Sequence, residues 1–291
     1  MRARCERAQR VPERVAGQPR HQQLIMTIYG LYARDEGGSL PVSSLVRMMR
    51  DLGVEDAGVR SSVSRMKRRG ILQSRRENGV ATYALSARSL ELIIEGDARI
   101  YFRQRANAVD PWLLLVFSVP EAERGKRHTL RSQLTRMGFG AVAPGVWVAP
   151  GSLYAETQNR LKRLGLSSYV DLFTVDRLDR EQLAEKIGQW WDLSSLEELY
   201  RQFVQAYQPV RTVWSGAPVA GPDSVLQANA FGDYIPMFTQ WRRMPFLDPG
   251  LPLEFLPQKW DGLVAEELFS DLHRVLGPLA REHVHGIIHP Q

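Results

Sequence analysis

The chain has 291 residues, 44% of them hydrophobic and 24% charged, and carries a formal net charge of +6. That length predicts two or three domains with cores of ordinary size. The single cysteine, Cys5, excludes an internal disulfide and fits a reducing cytoplasm, and no apolar run reaches the ~18 residues that a membrane span requires.

Residues 1–19 carry Arg2, Arg4, Arg7, Arg10 and Arg14 with few large apolar side chains. This stretch reads as a disordered basic tail, because it cannot bury enough surface to order itself. Leu24, Ile25, Ile28, Tyr29 and Tyr32 recur at helical spacing and predict a first helix. Arg34–Ser39 reads as a loop, and Leu45, Met48, Met49 and Leu52 mark a second helix. Gly53-Val54 is a short turn before a third helix, which Asp56 can cap and Gly70 can end.

The third helix carries the strongest signal. Rotation by about 100° per residue from Val59 brings Val63 and Met66 within about 40° of it. Ser61, Ser64, Arg65 and Arg68 fall opposite, flanked by Arg60, Ser62, Lys67 and Arg69. The exposed face is thus basic and hydroxylic and holds no carboxylate. A solvated helix ordinarily mixes both signs, so a one-sign face points to an anionic partner. Arg75, Arg76 and the turn Glu77-Asn78-Gly79 continue the pattern in a two-stranded ribbon, with Tyr83 and Leu85 on one face of the return strand. Helix plus basic hairpin predicts a winged helix-turn-helix over 20–87 that binds double-stranded DNA. Its contacts are Arg60, Ser61, Ser62, Ser64, Arg65, Lys67, Arg68, Arg69, Arg75, Arg76 and Asn78.

Residues 88–110 read as a connecting helix with Leu90, Ile93, Ile94, Ile100, Tyr101 and Phe102 as apolar members. Trp112–Val119 is an apolar run that suits a buried strand. The helix of Leu130, Leu134 and Met137, strands at Phe139–Val142 and Val146–Val148, a helix at Tyr154–Leu164 and a strand at Tyr169–Val175 follow. The order βαββαβ predicts a ferredoxin-like domain over 111–177. Residues 178–291 read as a helical domain. Ser194 and Glu197 fit a capping box, Pro209 follows the first helix, Thr212–Pro222 is loop, and Pro236 should kink the next helix. Pro245–Pro257 must be extended, and Gly277-Pro278 should stop the last helix, which Asp261 caps. The fold class is α+β.

Three passages carry a family resemblance. They are Leu52-Gly53 through Gly70-Ile71-Leu72 with Thr82-Tyr83-Ala84-Leu85; Leu130-Arg131 through Pro144-Gly145-Val146-Trp147 and Pro150; and Pro245-Phe246-Leu247-Asp248-Pro249-Gly250-Leu251-Pro252 with Trp260, preceded by Trp191-Asp192-Leu193 and Tyr200-Arg201-Gln202-Phe203. Together they resemble the PaaX family of repressors of phenylacetic acid catabolism, and the middle domain resembles the Cas2-like ferredoxin fold. The resemblance implies a homodimeric transcriptional repressor, without catalytic residues or cofactor, that leaves its operator on binding an aryl-acyl-CoA such as phenylacetyl-CoA. The wing turn Glu77-Asn78-Gly79-Val80 is less basic than the family pattern.

An acyl-CoA needs cations for its phosphates and an apolar slot for its aryl group. Trp191, Arg211, Trp241, Arg242, Arg243, Phe246 and Trp260 are the candidates, against a reading as core tryptophans and surface arginines. The enzymatic alternative is a Cas2-like metal-dependent nuclease. The end of its first strand, Phe117-Ser118-Val119, offers a neutral hydroxyl where Mg²⁺ needs a carboxylate. A ligand-independent architectural DNA binder is the other alternative. His283, His285 and His289 read as a helix end rather than a metal site, and Gly138-Phe139-Gly140 as a turn rather than a phosphate loop.

Overall fold

The structure is a computed structural model and describes residues 19–77, 79–101, 105–176, 183–216 and 223–290. The predicted tail, Asn78, Phe102 and the end of the Thr212–Pro222 loop lie wholly or almost wholly outside the described residues. The N-terminal segment begins with α1 (His21–Ile28), which runs on through a wider turn at Tyr29–Ala33. Then come β1 (Ser39–Pro41), α2 (Val42–Asp51), α3 (Asp56–Arg68), β2 (Leu72–Glu77) and β3 (Val80–Leu85). The three strands form an antiparallel sheet in the order β1-β3-β2, with Glu77 opposite Val80 across the turn. Gly70 and Gly79 have φ of 66° and 81°, the left-handed conformations that a helix stop and a tight hairpin require. Ser39 and Leu40 of β1 are buried, so the predicted Arg34–Ser39 loop ends as a strand rather than as solvent-facing coil.

α3 ends where the sequence puts its stop, but its start differs. Glu55 occupies the cap position without a side-chain cap bond, while Asp56 takes two hydrogen bonds from Arg50, at 3.0 and 2.9 Å. Both carboxylate oxygens accept from Arg50 Nη2 rather than one of them from a backbone N–H, since Asp56 already lies inside the helix.

α4 (Ala87–Tyr101) fills most of the expected connecting helix. Only Ser89 and Gly96 are buried along it, and Leu92 and Ile94 are exposed. The middle segment comprises β4 (Trp112–Phe117), α5 (Arg124–Arg136), β5 (Gly140–Ala143), β6 (Val146–Pro150), α6 (Tyr154–Arg163) and β7 (Val170–Val175). Every pairing is antiparallel and the strand order is β5-β6-β4-β7, as the βαββαβ pattern requires. Leu113, Leu115, Trp147 and Ala149 from the sheet pack with Leu130, Leu134 and Leu161 from α5 and α6. Alternate residues of β4 therefore face the helices, as the two-residue period dictates.

The remaining helices are α7 (Leu183–Trp190), α8 (Leu193–Trp214), α9 (Ser224–Trp241), the single turn α10 (Met244–Leu247) and α11 (Asp261–Ile288). Two sequence expectations fail here, the helix ends at Pro209 and at Gly277-Pro278, and the helix expected to be kinked or interrupted at Pro236 is not interrupted there. Pro209, Pro236 and Pro278 all lie inside helices that continue past them. An internal proline costs about 3 kcal/mol. Around Pro236 the side chains of Phe231, Tyr234, Ile235, Met237 and Phe238 are all buried. At about 1.5–3 kcal/mol each, that burial outweighs the proline. The cap of α8 also moves, because Asp192 rather than Ser194 accepts the Ser195 N–H at 3.0 Å. Its hydrogen bonds to the Ser195 and Ser194 side chains and the Ser195 backbone hold the Asp192 carboxyl below its usual range. The Pro245–Pro257 passage is broken by α10 and a 3₁₀ turn at Leu253–Phe255.

By compactness the chain divides into two discontinuous units: residues 1–96, 202–241 and 264–291, and residues 97–201 and 242–263. In the first, the N-terminal segment packs on α9 and α11. The Thr27 and Thr239 hydroxyls lie 2.8 Å apart in buried contact, Asp51 meets His283 Nε2 at 2.9 Å, and Glu36 meets His289 Nε2 at 2.9 Å. Arg281 also pairs with Asp35. The predicted histidine-rich helix end thus forms single carboxylate pairs, and the described residues hold no group of three or more His, Cys, Asp or Glu suited to a metal. In the second unit Asp248 is the polar hub. It accepts from Arg105 at 3.2 Å, from Tyr200 Oη at 2.8 Å and from the Gly250 N–H at 2.9 Å. Among the described residues no helix is long and apolar enough to cross a membrane.

Asp248→Ala removes the buried acceptor shared by Arg105, Tyr200 and the Gly250 N–H, and should cost about 3–5 kcal/mol in chemical denaturation. An effect below about 1 kcal/mol would mean the hub is dispensable. Burial raises the pKa of Asp233 despite the hydrogen bond from Trp214 Nε1 at 2.8 Å. A raised carboxyl pKa favours the fold below the unfolded value of about 3.9, and that advantage is lost as pH rises through the folded value. Asp233→Asn keeps an acceptor for Trp214, so its Tm should match or exceed wild type at neutral pH. The difference should close toward pH ~4. A variant less stable at every pH would contradict this.

Candidate nucleic-acid interface

α3 is positioned by what it buries. Val59, Ser62, Val63 and Met66 face inward, each at most 4% exposed. α1 and α2 supply the opposing surface through Ile25, Ile28, Leu45 and Met48, all essentially inaccessible. Gly58 lets α1 approach closely. A Cβ there would lie 3.1 Å from His21 Cε1. Tyr29 ties α1 to the sheet by donating its buried hydroxyl to the Tyr83 carbonyl at 2.9 Å, and burial pushes its pKa well up.

That burial turns Arg60, Ser61, Ser64, Arg65, Lys67, Arg68 and Arg69 outward, and all seven are exposed. Ser62 is the correction. It is fully buried, because at about 60° from Val59 it falls within an apolar stripe wider than the minimal one. Its hydroxyl accepts a hydrogen bond from Arg65 Nη2 at 3.2 Å, while Ser61 Oγ accepts from Arg65 Nη1 at 3.0 Å. Lys67 sits over the Tyr83 ring, 5.4 Å from its centroid. Arg75 and Arg76 are exposed on β2. Glu77, the nearby acid, accepts from Ser39 Oγ at 2.6 Å. Among the described residues, no carboxylate pairs with the outward cations of α3.

α3 is a ridge with a hollow on each flank. The flank facing α1 borders a space of about 640 Å³ lined by Arg20, His21, Gln22, Ser62, Arg65, Arg68 and Arg69. The other borders about 310 Å³, with Val42, Val46 and Tyr83 in its wall and Arg60, Lys67 and Arg68 at its edge. Sequence reasoning missed Arg20, His21 and Gln22. They precede or open a helix read only for its apolar stripe, and their nearness to α3 is a tertiary fact.

The seven residues expected to bind an effector divide between the two compact units. Arg211 and Trp241 belong to the first compact unit and the other five to the second. Arg211 is paired with Asp271 at 3.3 Å and Glu267 at 3.8 Å, and Trp241 stacks on Phe269 at 4.4 Å. Trp191 is buried, donates from Nε1 to the Gly138 carbonyl at 2.8 Å, and lies where a Cβ on Gly140 would collide with its ring. The two glycines thus answer different constraints: Gly140 leaves room for the indole, while Gly138 takes a left-handed φ of 85° against Pro249. Trp260 packs edge-on against Tyr200, and burial lowers the Arg242 pKa, with Arg243 adding to the shift. Phe246 lies under Arg99, and Arg243 is exposed. Most of this set is therefore core or paired.

Comparison with known proteins agrees with the fold. The protein is 27% identical over 260 residues to the transcriptional repressor PaaX of Escherichia coli (strain K12), an alignment covering 88% of this chain and 80% of that one. A solved structure of an uncharacterized protein from Mycobacterium tuberculosis shares the fold, with a TM-score of 0.57 at 22% identity over 89% of this chain and 96% of the other. Residues 20–89 match the PaaX-like protein family, 105–187 the PaaX central Cas2-like domain, and 191–286 the PaaX-like C-terminal domain. With an N-terminal, a central and a C-terminal match in that order along nearly all of the described chain, the protein belongs to the PaaX family.

Proposed function

We propose that the protein is a homodimeric repressor that binds operator DNA through a winged helix-turn-helix, with α2 and α3 as the helical pair and β2–β3 as the wing. The carrying observation is the outward face of α3, where arginine, lysine and serine stand without a described carboxylate partner. A major groove about 12 Å wide admits such a helix, and two parallel N–H groups of an arginine match the acceptors of guanine. Ser61, Ser64 and Arg68 occupy the crest, with Arg60 and Lys67 beside them. Arg75 and Arg76 extend the cationic surface along the wing. Two heads of a dimer would read half-sites roughly 34–36 Å apart, or a multiple of that.

We further propose that the release signal is an aryl-acyl-CoA, with phenylacetyl-CoA the first compound to test. Support comes from family membership and from the named relative. The exposed Arg243 and the neighbouring Phe246 are the residues of the expected set that we assign to this ligand. Release requires that the ligand prefer the non-binding arrangement by its own interaction energy.

Arg60→Ala should weaken binding by about 1–3 kcal/mol if it reads a base, with a smaller loss on random DNA. Fluorescence anisotropy on a selected and a scrambled duplex measures both. Unchanged affinity for both duplexes would remove Arg60 from the interface. Gel shifts with phenylacetyl-CoA should show release that free coenzyme A does not produce. If a panel of acyl-CoA esters leaves the complex intact, a ligand-independent architectural role replaces the sensor.

A further inference from the structure

We propose that the hollow between the start of α1 and the adjacent flank of α3 is a seat for the sugar-phosphate backbone of the bound duplex, with Arg20, Arg65 and Arg69 as its cations. This rests on the reading of α3 as the DNA-contacting helix, and it divides that helix by role.

The lining is chemically one-sided. Four arginines, Arg20, Arg65, Arg68 and Arg69, line the hollow with a histidine, a glutamine and a serine, and no carboxylate is among them. None of the four makes an ion pair with a described residue, in a structure where Arg50, Arg99, Arg201 and Arg281 all do. Like charges around one space repel, and an anion between them removes that cost. Phosphate matches the planar fork of arginine better than a point cation would require.

Geometry separates Arg65 from the crest. Its two terminal nitrogens donate to Ser61 Oγ and Ser62 Oγ. Ser62 is fully buried, so this contact leans the guanidinium toward the α1 flank. Arg69 lies one turn further on the same side. Arg20 arrives from a different element, where its own backbone N–H is held by Gln23 Oε1 at 2.8 Å. The absence of a side chain at Gly58 lets His21 sit against α3 and so sets the width of the hollow. When the crest of a helix enters the major groove, a sugar-phosphate strand runs along each flank. About 640 Å³ accommodates a phosphate with its neighbouring sugars. Arg65 therefore positions the helix, and base reading falls to the crest and the α2 flank.

The test uses the full chain, a duplex that the wild type selects from a random library, and a scrambled duplex of equal length, each titrated over a range of salt. Arg20→Ala, Arg65→Ala and Arg69→Ala should each weaken binding about tenfold, alike on both duplexes. Each should flatten the log–log salt slope by about one. Arg65→Lys keeps the charge and should return the salt slope to near the wild-type value, which Arg65→Ala should not. Unchanged thermal unfolding confirms that the variants fold. If Arg20→Ala changes neither affinity nor slope while Arg68→Ala still weakens binding, the seat is overturned and the DNA reading stands. A loss for Arg65→Ala confined to the selected duplex makes Arg65 a base reader and also overturns it. If free coenzyme A raises the Tm in an Arg20- and Arg65-dependent way while the salt slopes of the variants match wild type, the hollow belongs to a soluble phosphate ester. A wild type that binds neither duplex overturns the DNA reading along with the seat.

Discussion

The rotation of α3 about its own axis is the constraint on which the rest depends. Val59, Val63 and Met66 are buried between α1 and α2, and together they allow one azimuth only. Burying each contributes on the order of 1.5–3 kcal/mol, so a rotation that exposed them would remove a large share of a domain's net stability. The same rotation carries every cation of the helix outward. Core packing and surface charge are thus two consequences of one pattern, and Ser62 marks its edge, since it is buried yet still reaches Arg65.

The support beneath α3 is unusually long-range in sequence. α1 touches α9 through Thr27 and Thr239, and the last turns of α11 reach Asp51, Glu36 and Asp35. The head and the C-terminal helices therefore belong to one compact unit although a whole ferredoxin-like segment separates them along the chain. α9 and α11 therefore contact the N-terminal segment directly, and His283 and His289 make two of those contacts, with Asp51 and Glu36.

The second unit shows how a glycine pattern can mislead when read without a partner. Gly138 and Gly140 flank Phe139 as in a phosphate loop, yet the space at Gly140 is filled by Trp191, which also donates to the Gly138 carbonyl, and Gly138 lies against Pro249. The tryptophans expected at an effector slot are consumed in this way, or by stacking as Trp241 does on Phe269. Large aromatic side chains bury the most area per residue, so a spacing that suits a ligand slot also suits a core.

The sequence by itself determined the local elements: the two periods that distinguish helix from strand, the glycine stops at Gly70 and Gly79, the βαββαβ order and the basic outer face of α3. These depend on neighbours within a few residues, where periodicity and backbone stereochemistry act. It could not determine which prolines would break a helix, because the opposing term at Pro236 is burial against distant segments. Nor could it place Arg20 beside Arg65, or Trp191 over Gly140, or Asp248 between Arg105 and Tyr200. Those pairs are far apart along the chain and are joined only once helices and sheet have docked, so tertiary structure alone decided them.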